Sequence, residues 1–504
     1  MNKTIFYCLI FIFMGTGITL KYSHSHESMP IGCDEFGYLN LSRTLNEGIT
    51  NERPYFDELL DTLRGKGITE SELAWMITPH AYHIVPGTNL VINQYPPGTS
   101  WLLSFITLEF RKIFFPTVVV LLLMLLPLWL SGSLRQRNWT FFDLLFPFYI
   151  FLLSVAAPFT TELARVNSLA VTFGLLLSAG MTIRKRPLLA CFLIAITANF
   201  RIVNILMILP VVLFLPLQSL KHSDSIRFNL LLLLKFAGLV IVALLPLLIY
   251  NFQLLGNPIA STYSSIDTAV TTGRGIFENF AYYLSLDHHW LRVHLCAIIF
   301  LLAACIFNRC SWVEFIKFLA FPVINYLFFG WHKVTMDYYP YASAMILTGF
   351  AFHVLMEMKL SSKKAMYIVP FAGISIAVVV LLSGYNKYRK KEHISFSEAK
   401  DVYAPLCEYD VVWCDLLSGT TEYVCANNGF RFATSTPRAR KAALIFLHQK
   451  KMDQAILLND VPVQPKQIEN EINEAGLTYE LINHPRLGTM VVINGESSGK
   501  NVNR

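Results

Sequence analysis

Several runs of apolar residues in this chain approach the length that crosses a lipid bilayer. Three of them occupy residues 118–130, 230–250 and 368–382, and with their flanks they come close to the roughly 20 residues that match the hydrocarbon core. Charged residues make up only 15% of the chain, whereas a soluble domain carries about 25%. Because lipid offers no hydrogen-bond partner to an open backbone, such runs must be helical. The sequence therefore predicts an all-α polytopic membrane protein.

The order of the apolar runs and of the basic loops predicts a topology. The eleven predicted spans are residues 4–20, 114–133, 140–159, 167–183, 187–200, 202–220, 228–251, 290–307, 314–331, 338–357 and 366–384. With these boundaries five basic loops all follow even-numbered spans and so lie on one side of the membrane; they contain Arg135, Arg184, Lys221, Arg309 and Lys359. Short cytoplasmic loops collect basic residues, so this side, which also holds the N-terminus, is predicted to be the cytoplasm.

Two further features bear on the topology. Residues 101–110 are apolar but too short to cross, so they are expected to dip into the membrane or lie along its interface. The first span is interpreted as an uncleaved helix, because no clear small-x-small cleavage motif stands before Lys21. The basic loops also account for much of the net charge of +7, so that charge is no sign of a nucleic-acid partner.

The outer face is predicted to receive a long loop and a soluble domain. We divide the chain into a membrane domain, 1–389, whose outer loop 21–113 carries amphipathic helices lying on the membrane surface, and a soluble domain, 390–504. Gly476 closes a predicted helix in the soluble part, and short apolar segments near 481 and 491 indicate strands. A small α/β or α+β domain is expected, with one disulfide among Cys407, Cys414 and Cys425 whose pairing stays open.

Two adjacent carboxylates, Asp34 and Glu35, open the outer loop just beyond the first span. Either they cap the N-terminus of the following helix, where acidic side chains are favoured, or they take part in chemistry. Several other polar segments could each be no more than a turn or a helix end. All of them, however, are predicted to lie at the same membrane face. The residues that meet there are Asp34, Glu35, Tyr95, Glu162, Arg165, Arg201, Asn251, His332 and Asp337. Ionisable groups at that depth are usually functional or paired, so their joint placement predicts a site.

These motifs resemble those of the GT-C class of membrane glycosyltransferases, and most closely the protein O-mannosyltransferases and bacterial aminoarabinose transferases. The residues that carry the resemblance are Asp34–Glu35, Tyr38, Arg43, Pro96–Pro97, Asn251, Gly256, Pro258, Tyr263 and Tyr339–Pro340. The resemblance covers about residues 1–360 and does not extend to the soluble tail, 390–504. In the aminoarabinose transferases a Lys precedes the Pro-Pro pair, whereas this chain has Tyr95 there, so any phosphate-binding role of that Lys must be supplied elsewhere.

The resemblance implies a glycosyltransferase that moves a sugar from a polyprenyl-phosphate donor to an acceptor hydroxyl on the outer face. Asp34 is then the candidate general base, with Glu35 as the lesser candidate, and direct attack implies inversion of the anomeric centre. Candidates for binding the donor phosphate or substrate are Arg43, Tyr95, Arg165, Arg201, His332 and Lys333. A divalent metal is a further candidate partner, since some members of the class use one. Its candidate ligands on the outer side are His24, His26, His80, His83, His288 and His289.

Three other functions remain open at this point: a transporter or lipid flippase, a polymerase or ligase of surface polysaccharide, and a non-enzymatic assembly factor. Transporters often show internal repeats and helices broken near the midplane, and neither feature is evident here. The polar residues instead gather at one end of the spans. A bacterial inner membrane is the expected location, while the sugar and the acceptor are left open.

Overall fold

The computed structural model describes most of the chain. The described residues are 3–26, 33–47, 55–106, 108–135, 139–140, 142–143, 145–147, 149–150, 166–218, 223–262, 275–286, 288–306, 309–332, 338–357, 396–415, 417–425, 427–432 and 435–495. The part that precedes the C-terminal domain is mainly helical. Its helices are α1 (Lys3–His26), α2 (Cys33–Glu47), α3 (Phe56–Gly65), α4 (Glu70–Met76), α5 (Gly98–Ser104), α6 (Leu108–Val120), α7 (Leu126–Ser131), α8 (Ser168–Thr182), α9 (Pro187–Thr197), α10 (Ser223–Leu255), α11 (Ile276–Tyr283), α12 (His289–Ile306), α13 (Trp312–Trp331) and α14 (Tyr341–Met356).

Within the described residues, four helical stretches are long and apolar enough to cross a membrane. They are Phe114–Ser131, Ser225–Leu255, His289–Ile306 and Trp312–Trp331. Shorter apolar helices accompany them at Lys3–Gly17, Ser168–Thr182, Pro187–Thr197, Ile202–Phe214 and Tyr341–Met356. These helices coincide with predicted spans. The predicted span 366–384 and most of 140–159 lie outside the described residues, so the number of eleven spans stays a prediction.

Two predicted segments take a different form from an ordinary span. The Ile202–Phe214 segment, predicted as part of a span over 202–220, is a 3-10 helix with Pro210 inside it. Because a 3-10 helix rises about 2.0 Å per residue, its thirteen residues extend about 26 Å, nearly the thickness of the hydrocarbon core. Within 101–110 the chain completes the seven-residue α5 and then begins α6, so it makes no separate crossing.

Ion pairs join loops and helix ends that the predicted topology places on the same side of the membrane. The Lys3 ammonium lies 2.7 Å from the buried carboxylate of Asp143, which joins the start of α1 to the segment after α7. Arg184 contacts Glu314 at 2.7 Å and Glu357 at 2.9 Å, so the loops after α8, α12 and α14 also meet. Which side of the membrane this end faces stays a prediction.

The outer loop contains a short hairpin of β1 (Tyr82–Ile84) and β2 (Val91–Asn93), and the C-terminal domain is built on a five-stranded mixed sheet. Its elements are α15 (Phe396–Tyr403), β3 (Val411–Cys414), α16 (Ser418–Cys425), β4 (Asn428–Arg431), α17 (Pro437–Gln449), β5 (Gln454–Leu457), α18 (Pro465–Glu474), β6 (Glu480–His484) and β7 (Gly488–Ile493). The strand order is β4-β3-β5-β7-β6, in which β3 runs parallel to its neighbours β4 and β5 and the other two pairs are antiparallel. The helix predicted to end before Gly476 and the two strands predicted near 481 and 491 are therefore present.

The disulfide left open by the sequence joins Cys407 to Cys425. Cys407 lies in the 3-10 turn that precedes β3, and Cys425 ends α16, so the bridge ties α16 to the start of the sheet. Cys414, the third candidate, is a free and buried residue at the end of β3.

The outer loop and the C-terminal domain share one hydrophobic core. Leu59, Leu60 and Leu63 of α3 are almost completely buried in a cluster that also contains Trp413 of β3 and Phe446 of α17. The helix predicted at 55–64 to lie flat on the membrane surface therefore does not leave its apolar face free for lipid. The C-terminal domain covers that face instead, because a folded apolar core removes it from water as effectively as lipid does.

Candidate functional site

Asp34 lies in the first turn of α2, where it meets the end of the outer loop. The Tyr95 hydroxyl donates a hydrogen bond of 2.5 Å to Asp34 Oδ1 and lies 2.9 Å from Cys33 Sγ. The Gln94 side chain also reaches Cys33, with its Nε2 at 3.1 Å from the sulfur. Two segments that are separated by about 60 positions in the sequence therefore form one cluster. Hydrogen bonds to a carboxylate are short and strong, so Tyr95 holds Asp34 in a defined orientation.

A short β hairpin in the outer loop, β1 (Tyr82–Ile84) and β2 (Val91–Asn93), positions Tyr95. Asn93, at the end of β2, donates from Nδ2 to the Gly37 carbonyl at 2.8 Å and accepts from the Tyr95 backbone N–H at 2.8 Å. The Tyr95 ring passes so close to Gly37 that a Cβ there would lie 2.7 Å from it. Gly37 is therefore needed for the approach of α2 to this ring.

The two adjacent carboxylates differ in their surroundings. Asp34 is half-buried, whereas Glu35 is buried with 9% of its surface exposed. A general base must reach the proton that it removes, so Asp34 is the better placed of the two. Burial, together with the charge of Asp34, raises the pKa of the neighbouring Cys33 thiol to about 12, so Cys33 is a thiol rather than a thiolate at neutral pH.

Tyr38 and Arg201 extend the cluster from Asp34 toward the membrane helices. Burial raises the pKa of the Tyr38 hydroxyl far above its usual range, the Asp34 carboxylate raises it further, and the Arg201 guanidinium acts in the opposite direction. Arg201 also lies over two rings at the start of α14, 4.5 Å from the Tyr338 centroid and 5.2 Å from that of Tyr339. Tyr338 interacts electrostatically with both Asp34 and Arg201. The carboxylate and the guanidinium therefore face a common group of tyrosines.

Hydrogen bonds of Asn199 fix the segment that precedes Arg201. The Asn199 carbonyl accepts from the Gly98 N–H of α5 at 2.8 Å. Its side chain donates from Nδ2 to Ala243 O at 2.8 Å and accepts from Leu247 N at 2.9 Å, next to Pro246 inside α10. Asn199 thus links two residues one helical turn apart and supports the helix beside its proline.

The polar segment at the end of α10, which includes Asn251, Pro258 and Thr262, contacts the loop that carries Tyr95. The Thr262 hydroxyl donates to the Gln94 carbonyl at 2.8 Å, which brings the chain after α10 to the Tyr95 loop. Asn251 is buried within α10 and donates from Nδ2 to Pro258 O at 3.4 Å. Its remaining oxygen has no hydrogen-bond partner among the described residues. Tyr263 lies outside the described residues.

The remaining predicted site residues have different positions. Arg43 turns toward the C-terminal domain, where its guanidinium lies 4.8 Å from the Tyr423 ring centroid and 3.5 Å from the Tyr423 carbonyl. Its position there places it in the contact between domains. The His332 ring lies 5.7 Å from that of Tyr339, which also contacts Arg201. Arg165 and Lys333, with Glu162 and Asp337, lie outside the described residues.

Among the described side chains, the candidate metal ligands form no cluster. In the part of the chain that the structure describes, no group of three His, Cys, Asp or Glu residues lies close enough to hold a metal ion. His83 is buried with 1% exposure 5.5 Å from the Trp75 ring, and burial lowers its pKa to about 4. The His288 and His289 rings stack on each other at 5.5 Å. These positions are typical of packing residues, and the metal stays an untested expectation.

The C-terminal domain also reaches the site, which the sequence did not predict. The α16 helix packs on α2, where a Cβ at Gly419 would lie 2.4 Å from the Phe36 ring. The His80 N–H donates to Ser418 Oγ at 3.0 Å. Arg431, at the end of β4, interacts electrostatically with Cys33 and Tyr95. No motif in the tail marked these residues, because their role depends on which edge of the domain meets the outer loop.

Comparisons with known proteins show similarity in structure alone. No family model matches the chain, and no curated protein matches its sequence. The crystal structure of ArnT from Cupriavidus metallidurans in the apo state is similar over 97% of this chain and 98% of that one, with a TM-score of 0.54 and 10% identity. The structure of ArnT from the same organism bound to undecaprenyl phosphate has the same coverage, a TM-score of 0.56 and 12% identity. This chain is an integral membrane protein with the fold of ArnT, an aminoarabinose transferase of the GT-C class, and the resemblance seen in its sequence is confirmed at the level of the fold.

Proposed function

We propose that this protein is a glycosyltransferase that moves a sugar from a polyprenyl-phosphate donor to an acceptor hydroxyl of a lipid, glycan or protein. The observation that carries the proposal is the half-buried Asp34 carboxylate, held by Tyr95 and facing Arg201 across a group of tyrosines. The shared fold supports it, because one of the two similar ArnT structures contains undecaprenyl phosphate. The proposed location is the bacterial inner membrane, with the site and the C-terminal domain on the outer face.

Asp34 is the proposed general base. The acceptor oxygen attacks the anomeric carbon, and Asp34 takes the hydroxyl proton as the new carbon–oxygen bond forms. The bond from the anomeric carbon to the phosphate oxygen breaks, and polyprenyl phosphate leaves with the electron pair. A single displacement inverts the anomeric centre. The Tyr95 hydrogen bond keeps one carboxylate oxygen fixed, so the carboxylate is oriented before the acceptor arrives.

The leaving phosphate requires positive charge more than it requires a proton. Arg201 is the proposed donor for this charge, because it lies at the start of the apolar 3-10 segment and faces the tyrosines that also face Asp34. Preorganised charge of this kind is often the largest single contribution to catalysis. His332 is a further proposed contributor through its contact with Tyr339, and Arg165 and Lys333 remain proposals.

The experiment is mass spectrometry of envelope lipids, glycans and surface proteins from cells that make the native chain or Asp34→Asn at equal membrane abundance. Loss of a general base lowers a rate by about 100-fold or more, so a sugar-bearing species should disappear and its donor or unmodified acceptor should accumulate. The matched control is Asp61→Asn, which removes a 73% exposed carboxylate from the same outer loop and should leave the profile unchanged.

An unchanged profile for Asp34→Asn, combined with an altered profile when the whole chain is deleted, would overturn the proposal. Asp34 would then be a helix cap, and a role in transport or assembly would explain the effect of the deletion.

A further inference from the structure

Arg431 is a buried cation whose ion pair with a carboxylate is long and lacks a hydrogen bond from Nε. Only 8% of its surface is exposed, and its Nε has no hydrogen-bond partner among the described residues. The nearest carboxylate oxygen, on Asp415, lies 3.8 Å from Nε, and the Trp75 ring centroid lies 5.2 Å away. Burying a guanidinium costs free energy unless its donors are paired, so this arrangement leaves part of that cost uncompensated.

A second buried arginine in the same domain shows what a structural pair looks like here. Arg440 is 3% exposed and donates to both oxygens of Glu471, from Nε at 2.8 Å and from Nη2 at 2.6 Å. This two-bond geometry is the strong form of an arginine–carboxylate pair. Arg431 lacks it, so domain stability alone does not account for the buried charge at that position.

The position of Arg431 points to a ligand. The residue ends β4 beside Cys414, which ends the parallel strand β3, so it lies at the carboxyl edge of the parallel part of the sheet. Ligands of open α/β sheets bind at this edge. Here the edge faces the outer loop, where Arg431 interacts electrostatically with Cys33 and Tyr95, the two residues that touch each other beside Asp34.

Arg201 interacts electrostatically with Tyr38, and Arg431 with Cys33 and Tyr95, so the two arginines face the neighbours of Asp34 from different parts of the molecule. Arg201 begins the apolar 3-10 segment of the membrane part, whereas Arg431 belongs to the soluble domain. Two separate cations that face the neighbours of one carboxylate suit a reaction in which charged groups arrive both from the bilayer and from the aqueous side. The fork of a guanidinium matches a phosphate in two parallel hydrogen bonds.

We propose that Arg431 is a substrate-binding residue that takes a phosphate group, carried either by the lipid donor or by the acceptor. Bound phosphate supplies the hydrogen-bond acceptor that Nε lacks and lies next to Asp34. The C-terminal domain thereby completes the site. The identity of the molecule that carries the phosphate rests on the proposed transferase function, whereas the binding of phosphate by Arg431 does not.

The first measurement is the binding of undecaprenyl phosphate to the purified full chain in detergent, with thermal unfolding of the ligand-free protein alongside. The variants are Arg431→Gln, Arg431→Lys and, as a matched buried control, Arg440→Gln. If the donor carries the phosphate, Arg431→Gln weakens binding about tenfold or more, and Arg431→Lys weakens it less because the charge remains. Arg431→Gln leaves the unfolding temperature unchanged or raised, whereas Arg440→Gln lowers it by leaving Glu471 buried without its partner.

The second measurement separates the two sources of phosphate. If the acceptor carries it, Arg431→Gln binds undecaprenyl phosphate like the native chain, yet in cells the sugar-bearing species falls about tenfold or more and unmodified acceptor accumulates. Unchanged binding together with an unchanged product would overturn the proposal. The proposal would also be overturned if Arg431→Gln lowered the unfolding temperature as much as Arg440→Gln does, because Arg431 would then be a structural residue. A native profile for Asp34→Asn overturns the transferase function alone and leaves the result for phosphate binding intact.

Discussion

At the scale of single residues, the site depends on what surrounds each polar group rather than on its type. Asp34 and Glu35 are neighbours with the same chemistry, yet one is half-buried beside Tyr95 and the other is buried. Arg43 and Arg201 were equal candidates for binding the donor phosphate. In the structure Arg201 and Asp34 both interact with Tyr38, whereas Arg43 turns toward Tyr423 of the C-terminal domain.

Replacing Tyr95 with Phe tests the orientation of the base. The ring is kept and only the hydroxyl that donates to Asp34 is lost. A hydrogen bond to a charged group contributes about 1.5–3 kcal/mol, so the rate of sugar transfer should fall by about 10- to 100-fold while the protein stays folded. The rate is measured as product formed per membrane protein. Tyr55→Phe, at a 45% exposed ring of the same loop, is the control, and equal rates for the two variants would count against a role for Tyr95.

At the scale of helices and strands, the membrane part depends on close contacts that side chains would prevent. A Cβ at Gly180 of α8 would lie 2.0 Å from Ile346 O of α14, and a Cβ at Gly349 would lie 2.0 Å from Leu177 O. Small residues at such crossings let membrane helices approach each other closely. The contact between Gly98 and Asn199 is of the same kind, and it also determines where Arg201 stands.

We expect Gly98→Ala to disturb the site from this contact. The new Cβ would lie 2.5 Å from the Asn199 carbonyl oxygen, which is backbone and gives way with difficulty. Overpacking of this kind costs about 1–3 kcal/mol, so the unfolding temperature in detergent and the transfer rate should both fall. The control is Gly15→Ala in α1, where nothing lies within 4 Å of the new Cβ. A Gly98→Ala protein as stable and active as the Gly15→Ala protein would show that the contact is dispensable.

At the scale of the whole molecule, the outer loop and the C-terminal domain form one packed unit over the site. The leucines of α3 lie in the same core as Trp413 and Phe446, and Lys450 of the domain pairs with Glu58 of the loop. On the other side of the loop, α2 contacts both the membrane part and α16. The division at 389/390 was drawn from composition and stays a prediction.

Leu63→Ala tests whether the loop stabilises the domain. Leu63 is completely buried, and truncation of such a residue costs about 2–5 kcal/mol. Because its neighbours include residues of the sheet, hydrogen exchange should accelerate in β3 and β5 and not only in the loop itself. Leu45→Ala, at a leucine of α2 that is 41% exposed, should leave this exchange unchanged. Faster exchange restricted to the loop would mean that the two parts fold independently.

Much of this protein could be predicted from local patterns in its sequence. The length of an apolar run predicts a span because the bilayer has one thickness, and the basic loops predict which ends lie together. The ion pairs among Lys3, Asp143, Arg184, Glu314 and Glu357 agree with that grouping. The Asp34–Glu35 pair and the Pro-Pro motif could be recognised because each consists of residues adjacent in the sequence.

Contacts between distant segments could not be predicted in this way. The sequence left the pairing of Cys407 open, placed the apolar face of α3 in lipid, and gave no role to Arg431. Each of these depends on which surfaces meet after folding. Lipid and a protein core bury an apolar face equally well, so the sequence does not distinguish them. An arginine is charged whether it faces water or a binding site, so its sequence position does not reveal its role. The sequence by itself thus determined the membrane helices and the chemical groups available, and only the tertiary structure decided which of those groups share a site.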